Sequence, residues 1–208
     1  MKPYQALPRY LGWVLVMGLA VSAPSQEVDA NRMALIRDAM SDRIMVQTDV
    51  WFETGDFPKS IQAMRGDHAI RPDDYEVATN LGWMLENVLA WDEALATYVR
   101  FRKTNPNNPD AAYPEANFYF MKKTYMEIPP LLEPSIHFAT PPHPNTFRVL
   151  AHAYDRLGLY GDSKRVWQSL LKIDPNDDAA KVNLSRVSKK IKDGAPPPTP
   201  KAAPKSGG

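Results

Sequence analysis

Cysteine is absent from the 208 residues. With it go disulfides, cysteine-ligated zinc, iron–sulfur clusters, thiol catalysis and the lipidated cysteine that tethers a bacterial lipoprotein. Stability must therefore come from packing. An excess of one charge is missing too: 25 Lys+Arg face 24 Asp+Glu, a net of +1, so no global field draws the chain to nucleic acid. Long apolar runs are lacking as well. The stretch Leu11 to Ala23 holds 13 uncharged residues, short of the roughly 20 that cross a bilayer as a helix. What is present is 44% apolar residues and 20 prolines, enough Leu, Val, Ile and Phe for one globular domain with tails rather than a coil.

The two ends differ from the middle. Residues 1–25 read as a secretory signal: Lys2 and Arg9 precede the apolar run, and small residues at Ala20 and Ser22, or at Ala23 and Ser25, suit a signal peptidase. The mature chain is then expected to start near Ala23 or Gln26. The alternatives are a retained signal anchor, with Lys2 and Arg9 holding the N-terminus in the cytoplasm, and a buried N-terminal helix. Either export route places residue 26 onward outside the cytoplasm, and the expected compartment is the periplasm. At the other end, residues 194–208 read GAPPPTPKAAPKSGG, with no large apolar residue to offset the entropy of ordering. A disordered tail is expected there. Residues 181–208 carry seven Lys/Arg and one Asp, whereas residues 26–180 carry 16 basic and 23 acidic side chains. The cationic tail is suited to weak contact with an anionic membrane or cell wall, or to service as a solubilising tether.

Between the ends, apolar residues recur at helical spacing, with no alternating strand pattern and no Asn-Gly or Asp-Gly hairpin signal. An all-helical domain over 26–193 is expected. Pro72, Pro106 and Pro175, in RPDD, NPNN and DPND, stand 34 and then 69 residues apart, two periods plus one. The period predicts its own contents. Counting back from each Pro, 12 residues earlier lie Ser60, Ala94 and Ser163; 15 earlier lie Phe57, Trp91 and Tyr160; 8 earlier lie Met64, Tyr98 and Trp167. Small residues meet small ones, and bulky ones meet bulky ones. In two copies Leu81-Gly82 and Leu150-Ala151 stand 25 residues before the Pro.

This pattern resembles the tetratricopeptide repeat family. The matching copies are 41–74, 75–108 and 144–177, with Gln47 and Thr48 in the first where the Leu-Gly pair is expected. Residues 109–143 keep Ala116 and Tyr119, and a first helix is expected through residues 111–126. Its second half holds Pro129, Pro130, Pro134, Pro141 and Pro142, and a proline inside a helix costs about 3 kcal/mol. That copy is expected to be degenerate. Residues 178–192 place Ala180, Leu184, Val187 and Ile191 on one face, as a capping helix would, and Val28 to Met40 offers a shorter upstream helix. The resemblance implies an all-α, right-handed superhelical solenoid of helical hairpins, about ten helices in all, in which each hairpin buries its apolar face against the next.

Signs of chemistry are few. His68, His137, His143 and His152 are scattered, with no HExxH and no carboxylate pair at ligand spacing. No metal and no cofactor are expected. His152 with Asp155 three residues on is the nearest thing to an acid–base pair, and an enzyme accessory or weak hydrolase is the least favoured reading. Gly161-Asp162-Ser163 matches the opening of a lipase-like hydrolase motif, but in the repeat frame Ser163 is the small packing residue. No phosphate-binding loop and no aromatic-basic RNA signature occurs.

The resemblance implies that first helices line a concave groove. By position these bring together Asp49, Phe52 and Glu53; Asn80, Trp83, Glu86 and Asn87; Asn117, Phe120 and Met121; and His152, Asp155 and Arg156. Aromatics mixed with acids and amides suit an extended or helical peptide. The family's clamp for C-terminal carboxylates needs Lys and Asn where this chain has Met45, Asp49, Thr79 and Trp83, so that binding mode is not expected. The function implied is a non-enzymatic adaptor or scaffold with a protein or peptide partner. A fixed subunit of a cell-envelope complex and a module binding an envelope glycan are the alternatives.

Overall fold

The computed structural model describes residues 25–198; residues 1–24 of the expected signal and residues 199–208 of the expected tail lie outside that range. The helical spacing becomes nine α-helices among the described residues: α1 (Ser25–Glu53), α2 (Phe57–Ile70), α3 (Tyr75–Asn87), α4 (Trp91–Thr104), α5 (Tyr113–Met121), α6 (Ile128–Ser135), α7 (Pro144–Arg156), α8 (Tyr160–Ile173) and α9 (Asp178–Lys192). A single 3-10 turn, Tyr125–Glu127, leads into α6. Each helix packs on the next in sequence, so the chain is a solenoid of four helical hairpins closed by α9. No helix of the described residues is long and apolar enough to cross a membrane.

The punctuation works through the residue after each terminal proline. In Pro72-Asp73-Asp74 and Pro175-Asn176-Asp177 the second residue past the Pro caps the next helix: the Asp74 carboxylate accepts from the Val77 N–H at 3.0 Å, and that of Asp177 from the Ala180 N–H at 2.9 Å. Asn108 begins the third hairpin differently, its side-chain oxygen accepting from the Asp110 N–H at 2.9 Å. Prolines in the first turns of α2, α5, α6 and α7 sit where a missing N–H costs nothing.

All four hairpin turns share one geometry. Gly55, Leu89, Lys123 and Gly158 have positive φ of 77°, 63°, 63° and 77°. Their N–H groups each bond the carbonyl three residues back, and the following N–H bonds the carbonyl five residues back, as in Asp56 to Trp51 and Thr124 to Tyr119. This is the Schellman arrangement, which satisfies the last carbonyls of the first helix. Left-handed backbone costs roughly 1–2 kcal/mol for a side-chain-bearing residue and little for glycine. Leu89 is 68% exposed, so its side chain recovers little by burial. Leu89→Gly is therefore expected to stabilise the protein by about 1 kcal/mol, raising Tm by roughly 2–4 °C. Thermal denaturation followed by circular dichroism checks it.

Three expectations need correction. The upstream helix Val28–Met40 and the first helix of the first repeat are one continuous α1 of 29 residues, because neither glycine nor proline interrupts them, so nine helices stand where about ten were expected. Residues 29–40 of α1 are almost wholly exposed, and the stripe of Met33, Ile36 and Met40 faces solvent. The first helix of the third hairpin covers Tyr113–Met121 rather than 111–126, stopped by the left-handed turn at Lys123. Its second helix does form, as α6, with Ile128 and Leu132 fully buried. Pro134 lies inside α6, whose last residue is Ser135.

The core runs along the helix interfaces. Its largest part gathers Leu132, Phe147, Leu150, Val166, Trp167, Leu170 and Val187 from α6, α7, α8 and α9. A second part holds Leu81, Met84, Leu85, Tyr98 and Phe118, and a third joins Ala78, Phe101 and Ala111. The small positions allow the close crossings: Ser60, Ala94 and Ser163 are fully buried. Ser60 and Ser163 donate to the carbonyls of Thr48 and Ala151, 12 residues back, at 3.3 and 2.8 Å. Ser163 is thus a packing residue with its hydroxyl already bonded.

Candidate peptide-binding groove

α3 and α5 present parallel faces across an open depression of about 470 Å³. Of the residues expected to bind, Trp83, Glu86 and Asn87 reach it from α3, and Asn117 and Met121 from α5. Tyr75, Thr79, Trp91, Tyr98, Tyr113 and Pro114 complete the lining. The helical spacing explains the match: Thr79, Trp83 and Asn87 stand four apart on α3, and Tyr113, Asn117 and Met121 do the same on α5. The 34-residue period brings Tyr113 to the register of Thr79, a signal that could have found it. Tyr75 stands one turn before Thr79 on the same face of α3, a signal of the same kind, whereas the place of Tyr98 depends on how α4 packs beneath α3.

The lining carries one charge. The Glu86 carboxylate accepts from the Tyr98 hydroxyl at 2.8 Å, and burial together with that bond raises the Tyr98 phenol far above its ordinary range. Tyr98 therefore stays a neutral donor that fixes Glu86. Trp83 is 51% exposed, and Met121 is also exposed. The Lys122 ammonium lies 3.0 Å from the centre of the Trp91 ring, a cation–π contact that holds the indole at the rim. Asn87 donates to the Trp83 carbonyl at 2.8 Å, leaving its side-chain oxygen free to accept.

The other expected residues fall elsewhere. Asp49 and Glu53 are exposed on α1. Phe52 packs on Trp83 and Phe57, with ring centres 5.7 and 5.6 Å apart, and so supports the groove wall from behind. Asn80 borders a smaller crevice of about 40 Å³ with Met45, Thr48 and Val77. Phe120 is half-buried against Tyr125 at 5.4 Å and belongs to the core. Arg156 is exposed at the end of α7. Asp155 is buried and bound by the capping helix, its carboxylate 2.6 Å from Lys190 and 3.4 Å from Arg186. No group of three or more potential metal ligands occurs among the described residues.

His152 is half-buried, its ring edge-on to Trp167 at 5.0 Å and 6.4 Å from Phe120. Burial, and then the Arg186 charge, push its pKa below 6.5, and burial does the same to His68 on α2. A histidine whose folded pKa is lowered takes up its proton in the unfolded chain first, so stability falls as pH drops below about 6.5. The carboxylates of Asp177, Asp74 and Glu133 lose their folded-state advantage only near and below pH 4, so the windows separate. His152→Gln is expected to flatten the decline in Tm between pH 7 and pH 5, measured by scanning fluorimetry across that range.

These hairpins, with small buried residues such as Ser60, Ala94, Ala151 and Ser163 at their crossings and a shared left-handed turn, define a tetratricopeptide-type solenoid. No protein-family model matches the sequence, and no curated protein matches it. Solved structures do. The chain is similar to the crystal structure of MamA protein, with a TM-score of 0.58 and 18% identity over 74% of this chain and 83% of that one. MamA from Desulfovibrio magneticus gives a TM-score of 0.57 at 18% identity, over 74% and 86%. A tetratricopeptide repeat protein from Parabacteroides merdae gives 0.60 at 14% identity, over 74% of this chain and 61% of that one. The identities are low, and what the likeness shows is the fold.

Proposed function

We propose that this protein is an exported, non-enzymatic scaffold that holds an extended or helical segment of a partner protein in the groove between α3 and α5. The observation that carries the proposal is the lining itself. Exposed Trp83 and Met121 offer apolar area, Asn87 and Asn117 offer hydrogen bonds at fixed helical intervals, and Glu86 supplies the single charge. Rigid aromatics beside adaptable amides are the composition of peptide-binding surfaces. The lone carboxylate favours a segment with a Lys or Arg among its apolar residues. Export rests on the basic N-terminus, the apolar run and the small residues that follow it.

Two measurements test this reading. Trp83→Ala combined with Met121→Ala is expected to weaken partner capture by tenfold or more, about 1.4 kcal/mol or above. Because both side chains are exposed, the melting curve should move little. Equal capture by the double variant would place binding on another surface. For export, the protein made from its own gene in a Gram-negative host should begin near Ala23 or Gln26 by mass spectrometry, or keep Met1 with the domain accessible to protease from the periplasm. An intact, protected chain would remove that part of the proposal.

A further inference from the structure

The C-terminus of α9 ends in the same way as the four hairpin turns. Gly194 has φ of +60°, its N–H bonds the Ile191 carbonyl at 3.3 Å, and the Ala195 N–H bonds the Lys190 carbonyl at 3.0 Å. This turns the chain back across the solenoid end. Pro196 and Pro197 then reach the turn between α7 and α8. There the Tyr160 hydroxyl donates to the Pro196 carbonyl at 2.8 Å. The Lys190 ammonium stands 5.0 Å from the centre of the Tyr160 ring while bound to Asp155 at 2.6 Å, so the ring has a defined place between the tail and the cap.

Gly158 supplies the floor. A Cβ there would lie 2.6 Å from Cβ and 2.9 Å from Cα of Pro197, a clash with backbone that a side-chain rotation cannot relieve. The turn alone does not demand glycine, since Leu89 and Lys123 hold the equivalent left-handed positions. The contact with Pro197 is what a side chain would destroy. Three consecutive prolines favour an extended polyproline helix with its carbonyls exposed, and a tyrosine face with a hydroxyl donor beside an open glycine is suited to receive it.

We propose that Gly158, Tyr160 and Lys190 form a polyproline-recognition site whose resident ligand is this chain's own segment Ala195–Pro198, bound in cis. The site is separate from the α3–α5 groove and does not depend on what that groove holds. Its consequence is that the start of the cationic tail is pinned to the end of the solenoid rather than hanging free from α9.

The test uses the full chain labelled for NMR and the peptide GAPPPTPKAAPKSGG as probe. Pro196→Gly with Pro197→Gly is expected to shift the amides of Gly158, Leu159 and Tyr160 relative to wild type. Peptide added to that double variant should shift them back saturably, while wild type, its site already filled, responds little. Adding Tyr160→Phe should weaken the peptide response about tenfold through loss of one hydrogen bond. Gly158→Lys, which copies the tolerated Lys123 turn, should abolish the response with helicity retained. Identical amide positions in wild type and the double variant, or no saturable response to peptide in the double variant, would overturn the proposal. If Gly158→Lys does not fold, Tyr160→Phe alone decides: an undiminished response there would also overturn it.

Discussion

Trp167→Ala is expected to lower stability by about 3–5 kcal/mol, the range for removing a large core aromatic. The ring is fully buried, and it sits in the one cluster that ties α6, α7, α8 and α9 together. For a chain of this size the loss corresponds to a fall in Tm of roughly 10 °C. The indole nitrogen has no hydrogen-bond partner, so its polar atom adds nothing that phenylalanine would forfeit. Trp167→Phe is therefore expected to cost far less than the alanine change, within about 1.5 kcal/mol. Urea denaturation of the three proteins distinguishes them. A phenylalanine variant as unstable as the alanine one would mean that the indole's full volume or its N–H, rather than burial of an aromatic ring as such, carries the stability.

Gly82→Ala is the second large effect, and its cause is contact rather than conformation, since Gly82 lies inside α3 with ordinary helical backbone. A Cβ at Gly82 would meet the Tyr98 ring at 2.1, 2.4 and 2.7 Å. The ring has little freedom to retreat, because it is buried, its hydroxyl is bonded to Glu86, and Phe118 packs edge-on with its centre 6.5 Å away. Alanine normally favours a helix by about 1 kcal/mol over glycine; here overpacking of about 1–3 kcal/mol opposes that preference and more than cancels it. The expected result is a net loss of up to about 2 kcal/mol, accompanied by displacement of Glu86 and hence a weakened groove. Gly82→Ala with Tyr98→Leu should lose less than the two single changes added, because the leucine vacates the space that the methyl needs. Strict additivity in thermal melts would show that Gly82 and Tyr98 do not share that space.

The repeat period made much of this architecture legible. Residues at fixed distances from Pro72, Pro106 and Pro175 became the crossing points Ser60, Ala94 and Ser163 and the buried side chains Tyr98 and Trp167. It also carried Trp83 and Asn117, 34 residues apart, onto facing helices. What stayed hidden follows from two physical facts. A left-handed turn is easy to see only when glycine marks it, so Lys123 gave no sign that the third hairpin keeps the period through its prolines. Side-chain partners on a later helix are invisible to a positional rule: Asp155 has the same register as Glu86, yet Lys190 and Arg186 of α9 occupy it. The fusion of the upstream helix into α1 belongs with the first fact, since an uninterrupted helix carries no boundary to read.

Site-specific crosslinking can show whether the groove itself holds a partner. A photoreactive residue replacing Asn117 lies inside the α3–α5 depression, whereas one replacing Gln168, which is exposed on α8, lies outside it. In the full-length protein, made from its own start in a Gram-negative host, position 117 is expected to capture one reproducible segment of a partner. Position 168 should not, and Trp83→Ala should diminish the adduct while moving the melting temperature little. Equal crosslinking at both positions, or an adduct at 117 undiminished by Trp83→Ala, would contradict the groove as the binding surface.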